Sequence, residues 1–375
     1  MHGITLTKAP ADWEILQQEN GKASVALKGN FQVHPAAIEV GVERVTPVVR
    51  VMREDDNMTV IPWTNADHFT CNEKFQGEFE VTLEIPAGGP YRIDTSLETK
   101  STVPDLTWLY RGDCVLHLGV GNLFIIAGQS NSAGYSRDFC IDPPSMDVHL
   151  YRNRNKWDIA SHPMNESTFA GSLANEEMGV PGVSPYLAFG KTYGKMTGMP
   201  VGLIQTSLGG SPMERWNPKD GDLYLNMLDK IHQTGGKYAG VLWYQGCSDT
   251  NPGPAEKYLE HFREYVEATR KELGYEIPFF TMQLNRQING INDECWGMVR
   301  DAQARAAKEI PGVSVLTTSN LSLCDGIHNT AQANVALGEK LAKQCAHVLN
   351  GKEEYQPPEL VKVERADEAE RKSFQ

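Results

Sequence analysis

Apolar and polar residues alternate without a break along Phe79-Glu80-Val81-Thr82-Leu83-Glu84-Ile85. A period of two predicts a strand with one face on a core and the other in water. Pro86-Ala87-Gly88-Gly89-Pro90 reads as a turn, and Tyr91-Arg92-Ile93-Asp94 alternates again, so this stretch predicts a hairpin. Ala37 to Val51 is also β-rich, with Ile38, Val40 and Val42 in alternation. No helical period precedes Gly128. Several short strands at this spacing predict an antiparallel β-sandwich over residues 1–118. A packing module and a carbohydrate-binding module both remain open for it, because a fold does not supply a function.

The pattern changes at Gly121. Short apolar runs recur at Leu123–Ala127, Val201–Gln205, Gly240–Tyr244, Phe279–Leu284 and Val313–Thr317. Such runs suit strands buried on both faces. Helical patterns lie between them. Ser184-Pro185 opens one, with Tyr186, Phe189 and Tyr193 on one face. Leu225, Leu228 and Ile231 mark a second, stopped at Gly235-Gly236. A third runs from Pro254 to Leu273, a fourth from Asp293 to Glu309, and a fifth from Ala331 to Leu349. Alternating strands and helices predict an α/β domain over residues 119–350, with a parallel sheet covered by helices on both faces. The long gap between the first two strands must hold extra loops that wall a site. The charged tail, 351–375, lacks a period, and Tyr355–Val363 is a candidate edge strand for the N-terminal sandwich.

Charge and cysteines narrow the partners. The 375 residues carry a net charge of −13, which argues against nucleic acid and anionic membranes and favours a neutral or weakly charged substrate. No stretch approaches the ~20 apolar residues of a membrane span. The N-terminus lacks the pattern of a signal peptide, so a cytoplasmic protein is expected, a mature form with its leader removed being the alternative. The seven cysteines are scattered and show no zinc-site spacing. They read as free, mostly buried thiols, with no metal or cofactor expected. Oligomeric state is not legible.

Four of the predicted strands end in loops with useful chemistry, and a parallel sheet brings those ends to one side. The first holds Gly128-Gln129-Ser130-Asn131-Ser132, the second Thr206-Ser207-Leu208-Gly209-Gly210-Ser211. The third is Trp243-Tyr244-Gln245-Gly246-Cys247, the last Asp325-Gly326-Ile327-His328. Ser130 is a nucleophile at a strand end or a polar turn residue. A serine hydroxyl needs a base, and His328 can supply it, with Asp325 three residues earlier to orient the ring. Otherwise these two are a surface histidine and a turn acid. For an oxyanion, the backbone N–H groups of Ser130, Gly209 and Gly210 and the Gln245 amide are candidates. Gly209-Gly210 as a tight turn, and Gln245 as a buried amide holding two loops together, are the alternatives. Trp216 is either a sugar-stacking platform or core.

Together these residues resemble the SGNH hydrolases, and within them the sialate O-acetylesterase-like carbohydrate esterases. The likeness lies in Gly128-Gln129-Ser130-Asn131, Leu208-Gly209-Gly210-Ser211 with Trp216, Trp243-Tyr244-Gln245-Gly246, Trp296 with Arg300-Asp301-Ala302-Gln303, and Asp325-x-x-His328. It implies a flavodoxin-like α/β/α hydrolase domain, Ser130 as nucleophile, His328 as base, Asp325 as orienting acid, and no metal. Family members usually carry methionine where this chain has Ser132, a packing change, and glutamate where it has Cys247. The second change removes a charge beside the expected site and marks Cys247 as a candidate substrate contact. The expected activity is removal of acetyl groups from small carbohydrates. An esterase or thioesterase for a non-sugar acyl group, and a glycan-binding protein with a decayed site, are the alternatives.

Overall fold

The computed structural model describes residues 2–39, 41–102 and 107–351. The candidate strand Tyr355–Val363 lies outside them.

The protein is a mixed α/β fold built around one strand, Thr107–Gly128. Its far half, Leu123–Ala127, is the predicted apolar run, and every residue in it is buried. Alternate residues serve opposite layers, as the pleat requires. Leu123, Ile125 and Ala127 join a cluster with the helices Asp222–Gln233, Pro254–Leu273 and Asp293–Glu309. Phe124 and Ile126 join another with Tyr186–Thr197 and Ala331–Asn350. All five predicted helices form, and they cover both faces of the sheet.

The parallel strands lie in the order Val148–Tyr151, Val201–Gln205, Thr107–Gly128, Gly240–Tyr244, Phe279–Met282, Val313–Leu316. Trp157–Ile159 adds an antiparallel edge. From the central strand the chain leaves for one edge, returns to its flank at Val201–Gln205, then crosses to the other side. The end of Thr107–Gly128 is therefore a topological switch point, where such sheets open a crevice. Among the described residues no helix is long and apolar enough to cross a membrane.

The near half of the same strand belongs to the N-terminal layers. It pairs antiparallel with Gly88–Ser101, which pairs in turn with Val42–Arg53. A separate antiparallel sheet of Gly3–Lys8, Lys22–Gln32, Gln76–Pro86 and His68–Phe69 packs against this one. Val25, Leu27, Val81 and Ile85 from the second sheet meet Val49, Val51, Ile93 and Leu97 from the first in one buried cluster.

Two local expectations fail. The hairpin predicted across Pro86–Pro90 does not form. Gln76–Pro86 and Gly88–Ser101 belong to different sheets, and the chain crosses between them at Ala87. Alternation alone cannot tell these cases apart, since both strands place their apolar faces in the same cluster. The β-rich segment from Ala37 begins with a short helix, Pro35–Glu39, and pairing starts only at Val42. Residue 118 lies within the strand Thr107–Gly128, which runs on from the N-terminal layers into the parallel sheet.

Candidate active site

Ser130 opens a one-turn helix, Ser130–Ala133, immediately beyond the central strand. The turn into it uses Gly128 at φ 132, where an added Cβ would sit 2.3 Å from the Tyr244 carbonyl oxygen. Only glycine fits that conformation without strain. Ser130 is 5% exposed, so its hydroxyl lies at the floor of the crevice.

His328 approaches from the loop after the last strand. Its Nε2 is 2.9 Å from Ser130 Oγ, and its Nδ1 is 2.7 Å from Asp325 Oδ2. The other Asp325 oxygen accepts the backbone N–H groups of Ile327 and His328, at 2.9 and 2.7 Å. Burial works against ionising this carboxyl, but those two donors and the His328 ring outweigh it and hold it below the usual carboxylate range. An ionised carboxylate only accepts, so the ring donates from Nδ1 and leaves Nε2 to accept from the serine. Asp325 and His328 close on each other in four residues, which is why a single loop delivers both.

The loops are tied together by side chains that the sequence reading did not single out as site residues. Asn131 accepts the Asn329 N–H at 3.1 Å and donates to the Ile327 carbonyl at 3.2 Å, clamping the histidine loop onto the serine loop. Gln129 Oε1 accepts from Gly246 N at 2.9 Å and Ser248 N at 3.2 Å, fixing the third loop. The Tyr135 ring stacks on His328, with centroids 5.5 Å apart and planes at 29°. Tyr135 donates its hydroxyl to Glu177, and its own ionisation is pushed far up by burial and then by that carboxylate. Glu177 also accepts Gly209 N at 2.8 Å, Asn165 Nδ2 at 3.0 Å and Gly179 N at 3.2 Å. It lies in the long segment between the first two parallel strands, expected to wall the site; no periodicity marks it there.

Behind Glu177 a buried polar network continues. Asn165 Oδ1 accepts from Asn153 at 2.6 Å. Lys230, fully buried, donates to Asn153 Oδ1, Asn175 Oδ1 and the Gln205 carbonyl at 3.2, 2.9 and 2.7 Å. Its three N–H bonds meet three acceptors, none of them a carboxylate. Burial lowers its pKa to about 7.

Several expected site residues take other roles. The Gly209 N–H is committed to Glu177 and does not face the crevice. Gly210, at φ 68, has open space where a Cβ would stand. Gln245 is no oxyanion donor: its buried side-chain amide donates to the Ser211 carbonyl at 3.1 Å and to Asp249 at 2.5 Å, holding two loops together. Trp216 is not a sugar platform. It is fully buried, packed edge-on against Trp243 and bonded through its indole N–H to Ser211 Oγ at 3.2 Å. Cys247 packs partly buried against the same core. Its thiol pKa is pushed up to about 12 by burial and by the negative charges of Asp249 and Asp325.

Comparison with known proteins follows the same lines. A family model described as carbohydrate esterase, sialic acid-specific acetylesterase, matches residues 120–347. A probable carbohydrate esterase of Arabidopsis thaliana is 26% identical over 245 residues, which is 59% of this chain and 88% of that protein. The X-ray structure of an Arabidopsis thaliana protein superposes with a TM-score of 0.53 at 24% identity, covering 61% of this chain and 99% of that one. A carbohydrate acetylesterase from Xanthomonas citri gives a TM-score of 0.54 at 20% identity, over 93% of this chain and 76% of that one. These two likenesses establish a shared fold.

Proposed function

Because the chain belongs to the carbohydrate esterase, sialic acid-specific acetylesterase family, we propose that it removes acetyl groups from sugar hydroxyls through a serine acyl-enzyme. The observation that carries this reading is the unbroken hydrogen-bond chain from Asp325 through His328 to Ser130. His328 takes the Oγ proton as Ser130 attacks the acetyl carbonyl. The carbonyl oxygen becomes an oxyanion, for which the N–H groups of Ser130 and Gly210 are the available donors. Collapse breaks the ester C–O bond, and His328 returns the proton to the departing sugar oxygen. Water then gives a proton to His328 and attacks the acetylated serine, and acetate leaves as His328 returns that proton to Ser130 Oγ. Asp325 holds the ring and stabilises the imidazolium without itself taking the proton. The same reading takes residues 119–350 as a flavodoxin-like SGNH hydrolase domain and the N-terminal layers as an antiparallel sandwich beside it.

Ser130→Ala tests the proposal. Hydrolysis of p-nitrophenyl acetate is expected to fall by several orders of magnitude, with the melting temperature unchanged. A variant retaining a tenth of wild-type turnover would end the assignment.

A second reading, an esterase for a substrate with an apolar group, is favoured by the loops around the crevice. Phe139, Phe169, Met178, Val180 and Ile288 are all more than half exposed. Met178 follows Glu177, and Ile288 N donates to the Gly326 carbonyl, within the Asp325–His328 loop. A series of p-nitrophenyl esters from acetate to octanoate separates the two. Preference for acetate supports the first reading, and rising kcat/KM with chain length the second.

A further inference from the structure

The outer face of the N-terminal part of the large sheet carries a concavity of about 490 Å³. It is lined by Arg50, Trp63, Arg92, Asp94, Arg111 and Cys114, among others. We propose that this concavity is a second binding site, for a carboxylated saccharide, remote from Ser130.

The strand pattern builds it. Val49, Val51 and Ile93 point into the core, so Arg50 and Asp94, which alternate with them, point out. Arg50 and Asp94 face each other across two paired strands. One carboxylate orients two guanidiniums: Arg50 Nε lies 2.8 Å from Asp94 Oδ2, and Arg92 Nε 2.8 Å from Asp94 Oδ1. The Arg50 guanidinium is also held over the Trp63 ring, 4.6 Å from its centroid. Arg111 is exposed and makes no ion pair among the described residues.

The lining thus sets three guanidiniums against one carboxylate, in a chain of net charge −13. Asp12 and Asp113 lie near Cys114 and keep their charge, but they are tied to the Leu116 and Leu6 N–H groups, at 2.8 and 3.0 Å, and neither lines the concavity. Guanidinium forks match a carboxylate, and a half-exposed indole offers a flat apolar surface to the C–H face of a sugar ring. The volume falls within the roughly 300–1,000 Å³ of small-ligand sites. A nucleic acid would answer the same arginines, but the acidic chain repels so dense a polyanion.

The site does not touch the ester being cut. The lining shares no residue with the Ser130, Asp325 and His328 loops, and the strand from Gly112 to Gly128 runs between the two, a path of up to about 50 Å at ~3.3 Å per residue. Binding here concentrates the protein on an acidic glycan chain without entering the chemistry.

The test is calorimetric titration of the full chain with oligogalacturonates of six to ten units, and with neutral cello-oligosaccharides of the same length. At least tenfold tighter binding of the acidic series is expected, weakening as salt rises. Trp63→Ala and, separately, Arg111→Gln should each lose about tenfold, with p-nitrophenyl acetate turnover within twofold of wild type. Arg111 is exposed, so its variant tests the site even if Trp63→Ala folds poorly. In the unmutated protein the acidic oligomer should slow maleimide labelling of the exposed Cys114, read by peptide mapping. Equal binding of both series, binding untouched by Arg111→Gln, or tighter binding of an oligonucleotide would each overturn the proposal.

Discussion

Replacing Glu177 by alanine removes one carboxylate that serves four donors. Two of them, Gly209 N and Asn165 Nδ2, lie in the packed wall of the site, at 2.8 and 3.0 Å. Each buried donor left without an acceptor costs about 1–3 kcal/mol, and bonds to an ionised group stand at the upper end. Asn165 cannot recover by turning its amide, because its Oδ1 already accepts from Asn153 at 2.6 Å. Gly179, at 3.2 Å, is exposed and can turn to water, so its loss counts for little. The expected loss of stability is therefore about 2–5 kcal/mol. In Glu177→Gln the amide nitrogen can take the place of the oxygen facing Tyr135, whose hydroxyl can turn to accept. Gly209 and Asn165 then keep their oxygen, and the loss should be only about 1–2 kcal/mol. The same order holds for catalysis. Glu177 fixes the Gly209–Gly210 peptide and, through Tyr135, the ring stacked on His328. A displacement near 1 Å at such a site costs about 100-fold, so kcat for p-nitrophenyl acetate should fall by that order in Glu177→Ala and by less than tenfold in Glu177→Gln. Thermal unfolding and kcat, measured on both variants, check the two scales together. Alanine and glutamine variants that are indistinguishable in both, or an alanine variant within twofold of wild type, would refute the role given to this carboxylate.

Asp325→Asn should lower kcat by about 10³–10⁴, since the amide favours the wrong histidine tautomer. Because the Asp325 pKa is depressed in the folded state, its contribution to stability is complete above the unfolded value of about 3.9 and is lost as pH falls below it. The stability gap between wild type and Asp325→Asn should accordingly be constant at neutral pH and shrink in acid, as measured by urea unfolding; a gap that widens there contradicts the assignment. Lys230 is the opposite kind of test: with a folded pKa of about 7 against about 10.4 unfolded, the unfolded chain binds its proton more tightly, so stability should rise with pH across that window. Lys230→Met should lack this rise, and parallel curves for the two proteins would show that burial does not shift the lysine. Cys247, with its thiol pushed up to about 12, should escape maleimide at pH 7.5 while the exposed Cys71 and Cys114 react. Cys247→Glu should leave p-nitrophenyl acetate turnover within about tenfold, or ~1.4 kcal/mol, and restoration by orders of magnitude would instead mark a lost catalytic residue.

The residues proposed for the chemical step were legible because each announces itself locally. Ser130 follows an uninterrupted apolar strand, and Asp325 and His328 stand three apart in one loop, close enough for the aspartate to cap the turn and reach the ring. The apolar runs of the parallel sheet were legible for the same reason, since a strand covered on both faces must be apolar throughout. What the pattern does not carry is the partner of a polar group. Gly209 and Gln245 are donors by residue type, yet whether a donor faces the crevice depends on what else lies within 3 Å of it. For Gly209 that is Glu177, and for Gln245 it is Asp249. Glu177 reaches its place through Asn165, Asn153 and Lys230, a chain of contacts that spans several elements and leaves no period in any of them. Trp216 shows the same limit in the apolar direction, because a tryptophan near a glycine-rich loop looks alike from the sequence whether it faces a sugar or Trp243. The sheet crossing at Ala87 is a further case: period two places residues on faces and says nothing of which neighbour a strand takes. Substrate preference in this protein therefore has to be sought where sequence patterns are silent, in the segment carrying Glu177 and the exposed apolar side chains beside it. Substitutions there should move selectivity between esters while the Ser130–His328–Asp325 chain stays intact.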